Sequence, residues 1–297
     1  MGSGSLAAEY KWGLALGGGG APGVAAHLGF LDTLYSYGLV PDFVAGTSAG
    51  GIVAGSLAAK VSLPEIISTW SHIADDPWRL WASATLGAVD LLHPSATPGL
   101  LDLGIVLGYI PRNQTISDWS SQYAVVATSL AHRIPTVFSN DRVGGLVRAE
   151  IDYDEVPTGP VSTRDAIKAS AAFPGIFQGV RLGDDLLCDG GLFDMVPTDI
   201  CRALGASKVI SVRIGAAPTA TEAIPAKLPV TDLLQIALRE GLAKTDQGTN
   251  TDPADMHVYL NTYGGLLDLS FFNRDYEIGV VAAHNKRKDI EALIGRA

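Results

Sequence analysis

Four consecutive glycines, Gly17 to Gly20, stop an apolar run near the start of the chain and lead into Ala21-Pro22-Gly23. A backbone with that many glycines cannot continue a packed strand, so residues 11–16 read as a short buried strand that enters a sharp turn. Val24, Leu28, Leu31, Leu34 and Tyr35 then recur at helical spacing, with Gly38 placed as a C-terminal cap, which predicts a helix over 24–37. The pattern repeats at once: a strand over 42–45, the turn Gly46-Thr47-Ser48-Ala49-Gly50, and a helix of small residues over 49–59. Two successive strand-turn-helix units imply an α/β fold in three layers, with a mostly parallel central sheet covered on both faces.

The next stretch changes character. Residues 64–112 hold Trp70, Trp78 and Trp81 among apolar segments broken by Pro77, Pro94, Pro98 and Pro111, and they read as a helical cap inserted into the core. The core resumes with strands at 124–129 and 136–139 and a helix over 163–172 opened by a hydroxyl residue. A short strand at 185–188 delivers Asp189-Gly190-Gly191. A helix at 197–204, a strand at 208–214, a loop at 216–229, a helix at 231–242, a strand at 256–260 and a helix at 276–294 complete a single domain over residues 11–297. Residues 1–10 read as a flexible N-terminus or expression scar, because Met1-Gly2-Ser3-Gly4-Ser5 has neither the basic start nor the apolar run of a signal peptide.

Composition removes several classes of function. With 21 Lys+Arg against 31 Asp+Glu the net charge is -10, which repels nucleic acid and offers no general attraction to anionic bilayers. The two cysteines, Cys188 and Cys201, form no disulfide framework and have no metal-site spacing, so both are expected as buried free thiols. Apolar windows at 12–31, 39–59 and 91–110 are interrupted by glycine clusters or by Pro94, Pro98 and Asp102, unlike a continuous membrane span. The expected setting is cytoplasmic, with transient contact at a membrane surface. Hydrophobic residues nevertheless make up 47% of the chain and charged ones 18%, a balance that suits a greasy substrate.

Ser48 is the candidate nucleophile. A glycine-framed serine alone is equally well explained as an ordinary turn, but here it stands at a strand-to-helix junction, where the hydroxyl is exposed and a helix N-terminus faces the developing oxyanion. The N–H groups of Gly18, Gly19 and Gly20 are the candidate oxyanion donors. The same glycine turn also fits a dinucleotide-binding loop with Asp42 as the ribose ligand, and that alternative predicts a nucleotide-binding protein in place of an enzyme. A histidine base is not evident. His27 and His284 fall in predicted helices, His72 and His93 in the cap, and His132 and His257 beside strands. Asp189, at a strand end and followed by two glycines that leave room beside the carboxylate, is the candidate base.

Together the glycine turn, the Ser48 elbow, Asp189-Gly190-Gly191 and the linking block Ala169-Ser170-Ala171-Ala172-Phe173-Pro174-Gly175-Ile176-Phe177 resemble the patatin-like phospholipase family. The resemblance implies a lipid acyl hydrolase that works without metal or cofactor through a Ser48–Asp189 dyad, with a lipid or other acyl ester as substrate. Two positions depart from the family pattern: Pro22 stands where a basic residue is usual, and Met195 where Asn is usual. The first removes a contact to a phosphate head group or a structural anchor, and the two together make a silent lipid-binding relative the other alternative.

Overall fold

The computed structural model describes residues 10–77, 101–140, 147–148, 151–152, 154–155, 161–215 and 254–296. The chain opens with strand β1 (Trp12–Leu16), helix α1 (Gly20–Ser36), strand β2 (Phe43–Thr47), helix α2 (Ala49–Ala58) and helix α3 (Leu63–Asp75). Strands β3 (Tyr123–Ser129) and β4 (Ile134–Ser139) follow, then the two-residue strands β5 (Val147–Arg148), β6 (Ile151–Asp152) and β7 (Asp154–Glu155). Helix α4 (Thr163–Ser170), strands β8 (Val180–Leu182) and β9 (Asp185–Asp189), helix α5 (Thr198–Ala203), strands β10 (Lys208–Ile214) and β11 (Met256–Leu260) and helix α6 (Phe272–Leu293) complete it.

Among the described residues the main sheet runs β11-β10-β1-β2-β3-β4-β7, with β9 and β8 attached beside β3. The half from β11 to β3 is parallel throughout. Its strands alternate strictly between two cores, as a pleat with both faces covered requires. Leu14, Leu16, Val44, Val125 and Ala127 face the larger core, shared with α1, α2, α3 and α6. Ala15, Phe43, Ala45, Ala124 and Val126 face a smaller one closed by Ile200 and Cys201 of α5. Both cysteines are free and buried.

The far edge departs from a purely parallel plan. β4 returns antiparallel to β3 through a tight turn with Arg133 at φ 62°, and β8 and β9 form an antiparallel hairpin. No helix intervenes in either connection, so the chain can reverse only antiparallel. Of the expected cap, residues 78–100 lie outside the described residues, as do the loop at 216–229 and the helix at 231–242. The described parts are α3, whose Leu63, Ile66, Trp70 and Ile73 are buried on one face, and residues 101–112, where Leu101, Leu103, Val106, Leu107 and Ile110 are buried.

Helix α1 begins at Gly20, four residues earlier than its apolar spacing suggests. Pro22 is therefore its third residue, where a backbone N–H has no intrahelical partner and its loss costs nothing. The first intrahelical bond runs from the Gly23 N–H to the Gly19 carbonyl at 3.1 Å. Across α1 lies α6, and the two backbones touch: a Cβ on Gly279 would sit 2.0 Å from the Ala26 carbonyl oxygen, and one on Gly29 2.0 Å from that of Tyr276. Main-chain atoms on both sides leave no side chain able to yield. Gly279→Ala is expected to lower stability by about 1–3 kcal/mol despite the better helix propensity of alanine; a urea midpoint equal to that of the parent would show that the helices do not cross here.

Candidate active site

β3 brings the two candidate catalytic residues together. β2 runs parallel to β3 and ends with Thr47 opposite Val126. β9 runs antiparallel to β3 and ends with Asp189 opposite the next residue, Ala127. The two strands thus approach head to head along one edge of β3, and Ser48 and Asp189 face each other where they stop. The Ser48 hydroxyl donates to Asp189 Oδ2 at 2.7 Å. Both side chains are buried, Asp189 at 3% and Ser48 at 9% exposure.

The elbow is tight for steric reasons. Ser48 has φ 53° and ψ -115°, a strained conformation for a residue with a Cβ. Its glycine neighbours are required by contact: a Cβ on Gly46 would lie 2.1 Å from the Gly50 carbonyl oxygen, and one on Gly50 2.1 Å from that of Leu16. Ser170, at the end of α4, secures the turn from below. Its Oγ donates to the Val126 carbonyl at 2.6 Å and accepts the Ser48 N–H at 3.0 Å. Sequence reasoning placed Ser170 only inside a linking block; a small hydroxyl residue near a helix end carries no local sign of this long-range tie.

Asp189 is fixed as firmly. Its second carboxylate oxygen accepts the Gly191 N–H at 2.8 Å, its own N–H donates to the Ala172 carbonyl at 3.0 Å, and its carbonyl accepts the Thr128 hydroxyl at 2.9 Å. Burial raises its pKa to about 6, against the lowering effect of the Ser48 and Gly191 hydrogen bonds. A carboxylate removed from water in this way becomes a stronger base than one in solution.

The glycine turn lies against the same corner. The Gly18 N–H, expected among the oxyanion donors, instead donates to the Met195 carbonyl at 3.1 Å, because the segment after Asp189 folds back across the turn. Among the described residues the N–H groups of Gly19 and Gly20 donate to no backbone carbonyl, and Gly20 takes φ 63°. The Met195 thioether covers this turn: a Cβ on Gly18 would stand 2.9 Å from Met195 Sδ and 3.3 Å from Ser48 Cβ. Beside Ser48 opens an apolar pocket. Val24, Ile52, Trp70, Val106, Phe177 and Leu269 are among its walls.

The competing expectations fare differently. Asp42 accepts the Trp12 N–H at 2.9 Å and so ties together the starts of β1 and β2, at the end of the sheet remote from the glycine turn. His27 reaches the Gly17 carbonyl, His284 the Tyr37 hydroxyl, His72 the Ser68 carbonyl, His132 the Ser129 hydroxyl and His257 the Ser211 hydroxyl. His93 lies outside the described residues. No helix of the described residues is long and apolar enough to cross a membrane.

Comparison with known proteins bears on this arrangement. The chain is 28% identical over 206 residues to the lysophospholipase NTE1 of Yarrowia lipolytica, covering 68% of this chain and 12% of that protein. It is 27% identical over 212 residues to the lysophospholipase NTE1 of Saccharomyces cerevisiae, covering 70% of this chain and 11% of that protein. The chain therefore spans only about a tenth of the length of these curated relatives. The fold is that of the crystal structure of VipD from Legionella pneumophila, with a TM-score of 0.51 at 14% identity over 97% of this chain and 68% of that one. The profile of the patatin-like phospholipases matches residues 14–202, strands, elbow and aspartate included, and the chain belongs to the patatin-like phospholipase family.

Proposed function

We propose that this chain is a serine lipid acyl hydrolase that cleaves carboxylic esters through a Ser48–Asp189 dyad. The observation that supports it most is the direct 2.7 Å hydrogen bond from the serine hydroxyl to a buried carboxylate. In this reading the acyl chain enters the apolar pocket and presents its carbonyl carbon to Ser48 Oγ. Asp189 takes the hydroxyl proton as the Oγ–C bond forms, and the carbonyl oxygen becomes an oxyanion that accepts hydrogen bonds from Gly19 and Gly20 N–H. Collapse breaks the ester C–O bond, and Asp189 returns the proton to the departing alcohol. Water, deprotonated by the same carboxylate, then clears the acyl-enzyme and regenerates Ser48.

The substrate follows from the pocket. Its walls are almost entirely hydrocarbon, which suits a fatty acyl chain, and Phe193 and Met195 stand exposed in the segment after Asp189, where they suit contact with a lipid surface. Against the nucleotide alternative, Asp42 is spent on β1 at the wrong end of the sheet. A silent lipid-binding protein is separated from the enzyme by chemistry: a fluorophosphonate probe is expected to label Ser48, identified by peptide mapping. Ser48→Ala and Asp189→Asn should each lower hydrolysis of a p-nitrophenyl ester by more than about 10³-fold while leaving the circular dichroism unchanged. Full turnover in either would dismiss the dyad.

The pH dependence has a definite direction. Asp189 must be ionised to accept the proton, so with a pKa of about 6 the rate at low substrate should climb tenfold per pH unit below that value and flatten above it. An acid limb centred near 4, the range of an ordinary carboxyl group, would contradict the buried base. Trp70, buried and donating from Nε1 to the Tyr109 hydroxyl at 3.3 Å, forms a wall of the acyl pocket. Trp70→Ala should shift preference toward longer acyl chains by about tenfold in relative kcat/KM, measured across a p-nitrophenyl ester series from butyrate to palmitate; an unchanged profile would place the acyl chain elsewhere.

A further inference from the structure

His27 has no part in the chemistry described, yet its burial is complete. The side chain lies inside α1 at 0% exposure, with Nε2 2.8 Å from the Gly17 carbonyl oxygen. Nδ1 is buried without a hydrogen-bond partner among the described residues. A carbonyl oxygen can only accept, so a proton resides on Nε2, and full burial with no partner for Nδ1 keeps the ring neutral. An imidazole that leaves one nitrogen unsatisfied in an apolar core costs more than a leucine there would. Packing alone gives no reason for it; the hydrogen bond to Gly17 does.

That carbonyl belongs to the first peptide of the oxyanion turn. The Gly17 carbonyl also accepts the Gly50 N–H from the nucleophile elbow at 3.2 Å. On the other side of the same peptide unit, the Gly18 N–H donates to the Met195 carbonyl at 3.1 Å; in the preceding peptide, the Gly17 N–H donates to the Val212 carbonyl at 2.9 Å. The peptide plane between Gly17 and Gly18 is therefore held at both its oxygen and its nitrogen. Downstream, the Gly19 carbonyl accepts the Gly23 N–H at 3.1 Å and the Ala21 N–H donates to the Leu266 carbonyl at 2.8 Å, so this flexible turn is anchored at its helix end by α1 and at its strand end by the Gly17–Gly18 peptide.

We infer that His27 is a positioning residue for the oxyanion hole: by donating from Nε2 to the Gly17 carbonyl it fixes the peptide from which the Gly19 and Gly20 amides are aimed. This rests on the hydrolase reading above. Its effect belongs to the transition state, since charge on the carbonyl oxygen appears only there; loss of the bond lowers kcat and leaves KM in place.

The test uses the full chain with His27→Gln, His27→Asn and His27→Phe, assayed on p-nitrophenyl butyrate for kcat and KM, with thermal midpoints measured alongside. Glutamine can put an N–H close to the place of Nε2, whereas asparagine is one methylene too short and phenylalanine has no donor. His27→Gln is expected to keep kcat within about threefold of the parent. His27→Asn and His27→Phe should lose about 10- to 100-fold in kcat, short of the 10²–10³ for deleting a donor outright, with KM within about twofold. Equal kcat in the Gln and Asn variants, or losses that track the folded fraction alone, would overturn the proposal, and this pair decides even if His27→Phe does not fold. A parent enzyme inert to esters and to the fluorophosphonate probe would overturn the hydrolase reading and this inference with it, whereas an active parent with an unimpaired Asn variant overturns this inference alone.

Discussion

Two adjacent residues of β3, Val126 and Ala127, determine where the chemistry can occur. Thr47 pairs with the first and Asp189 with the second, although β2 and β9 lie far apart in the chain and run in opposite directions. Their ends meet because β3 offers one edge to both. The Val126 carbonyl also receives the Ser170 hydroxyl, which in turn holds the Ser48 N–H. If β9 slipped by one residue on β3, side chains would exchange faces and the carboxylate would leave the serine. The antiparallel β8–β9 hairpin is therefore a condition of the dyad, since a strand parallel to β3 could not present its C-terminal end to that of β2.

Burial of Asp189 raises its basicity and also has a cost. Its pKa stands at about 6 when folded against 3.8 for the free group, so the folded chain binds a proton more tightly than the unfolded one between those values. Stability accordingly falls by about 3 kcal/mol as pH rises through that window. His27 acts in the opposite sense. Desolvation lowers its pKa from 6.5 to about 4, the unfolded chain takes the proton first, and a similar amount of stability is lost as pH falls from 6.5 to 4. The two contributions overlap and offset each other over most of that range. A buried carboxylate is thus tolerated alongside a buried imidazole, with little net slope from this pair.

Much of the parallel half was legible because its signals are local. Strands β10 and β11 match the sequence reading at both ends, and β1, β2 and β3 differ by one or two residues. The glycines flanking Ser48 also mark the elbow directly, since only they allow its close backbone contacts. What sequence could not give were facts of tertiary contact. The start of α1 was read too late because glycine and proline are poor helix formers, yet the first turn needs no intrahelical N–H bonds. The loss of the Gly18 amide to Met195, the Ser170 tie and the role of His27 each join residues separated along the chain, and no periodicity or composition records them.

The two departures from the family pattern have different consequences once the geometry is known. Pro22 lies in the first turn of α1, where it takes no donor from the Gly19 and Gly20 pair and so leaves the oxyanion corner intact. What it removes is a positive charge beside that corner. Met195 contributes to the site in two ways: its carbonyl binds the Gly18 amide, which any residue could do, and its thioether lies against Gly18 and Gly191, which a shorter polar side chain would not. Both changes make the entrance to the dyad more apolar. In the proposed mechanism, a less polar entrance would leave an oxyanion more dependent on the Gly19 and Gly20 amides, because solvent and cationic side chains contribute less. The glycine turn is held at its strand end through the Gly17–Gly18 peptide, which His27, Gly50 and Met195 grip together, and at its helix end by the Gly23 N–H on the Gly19 carbonyl.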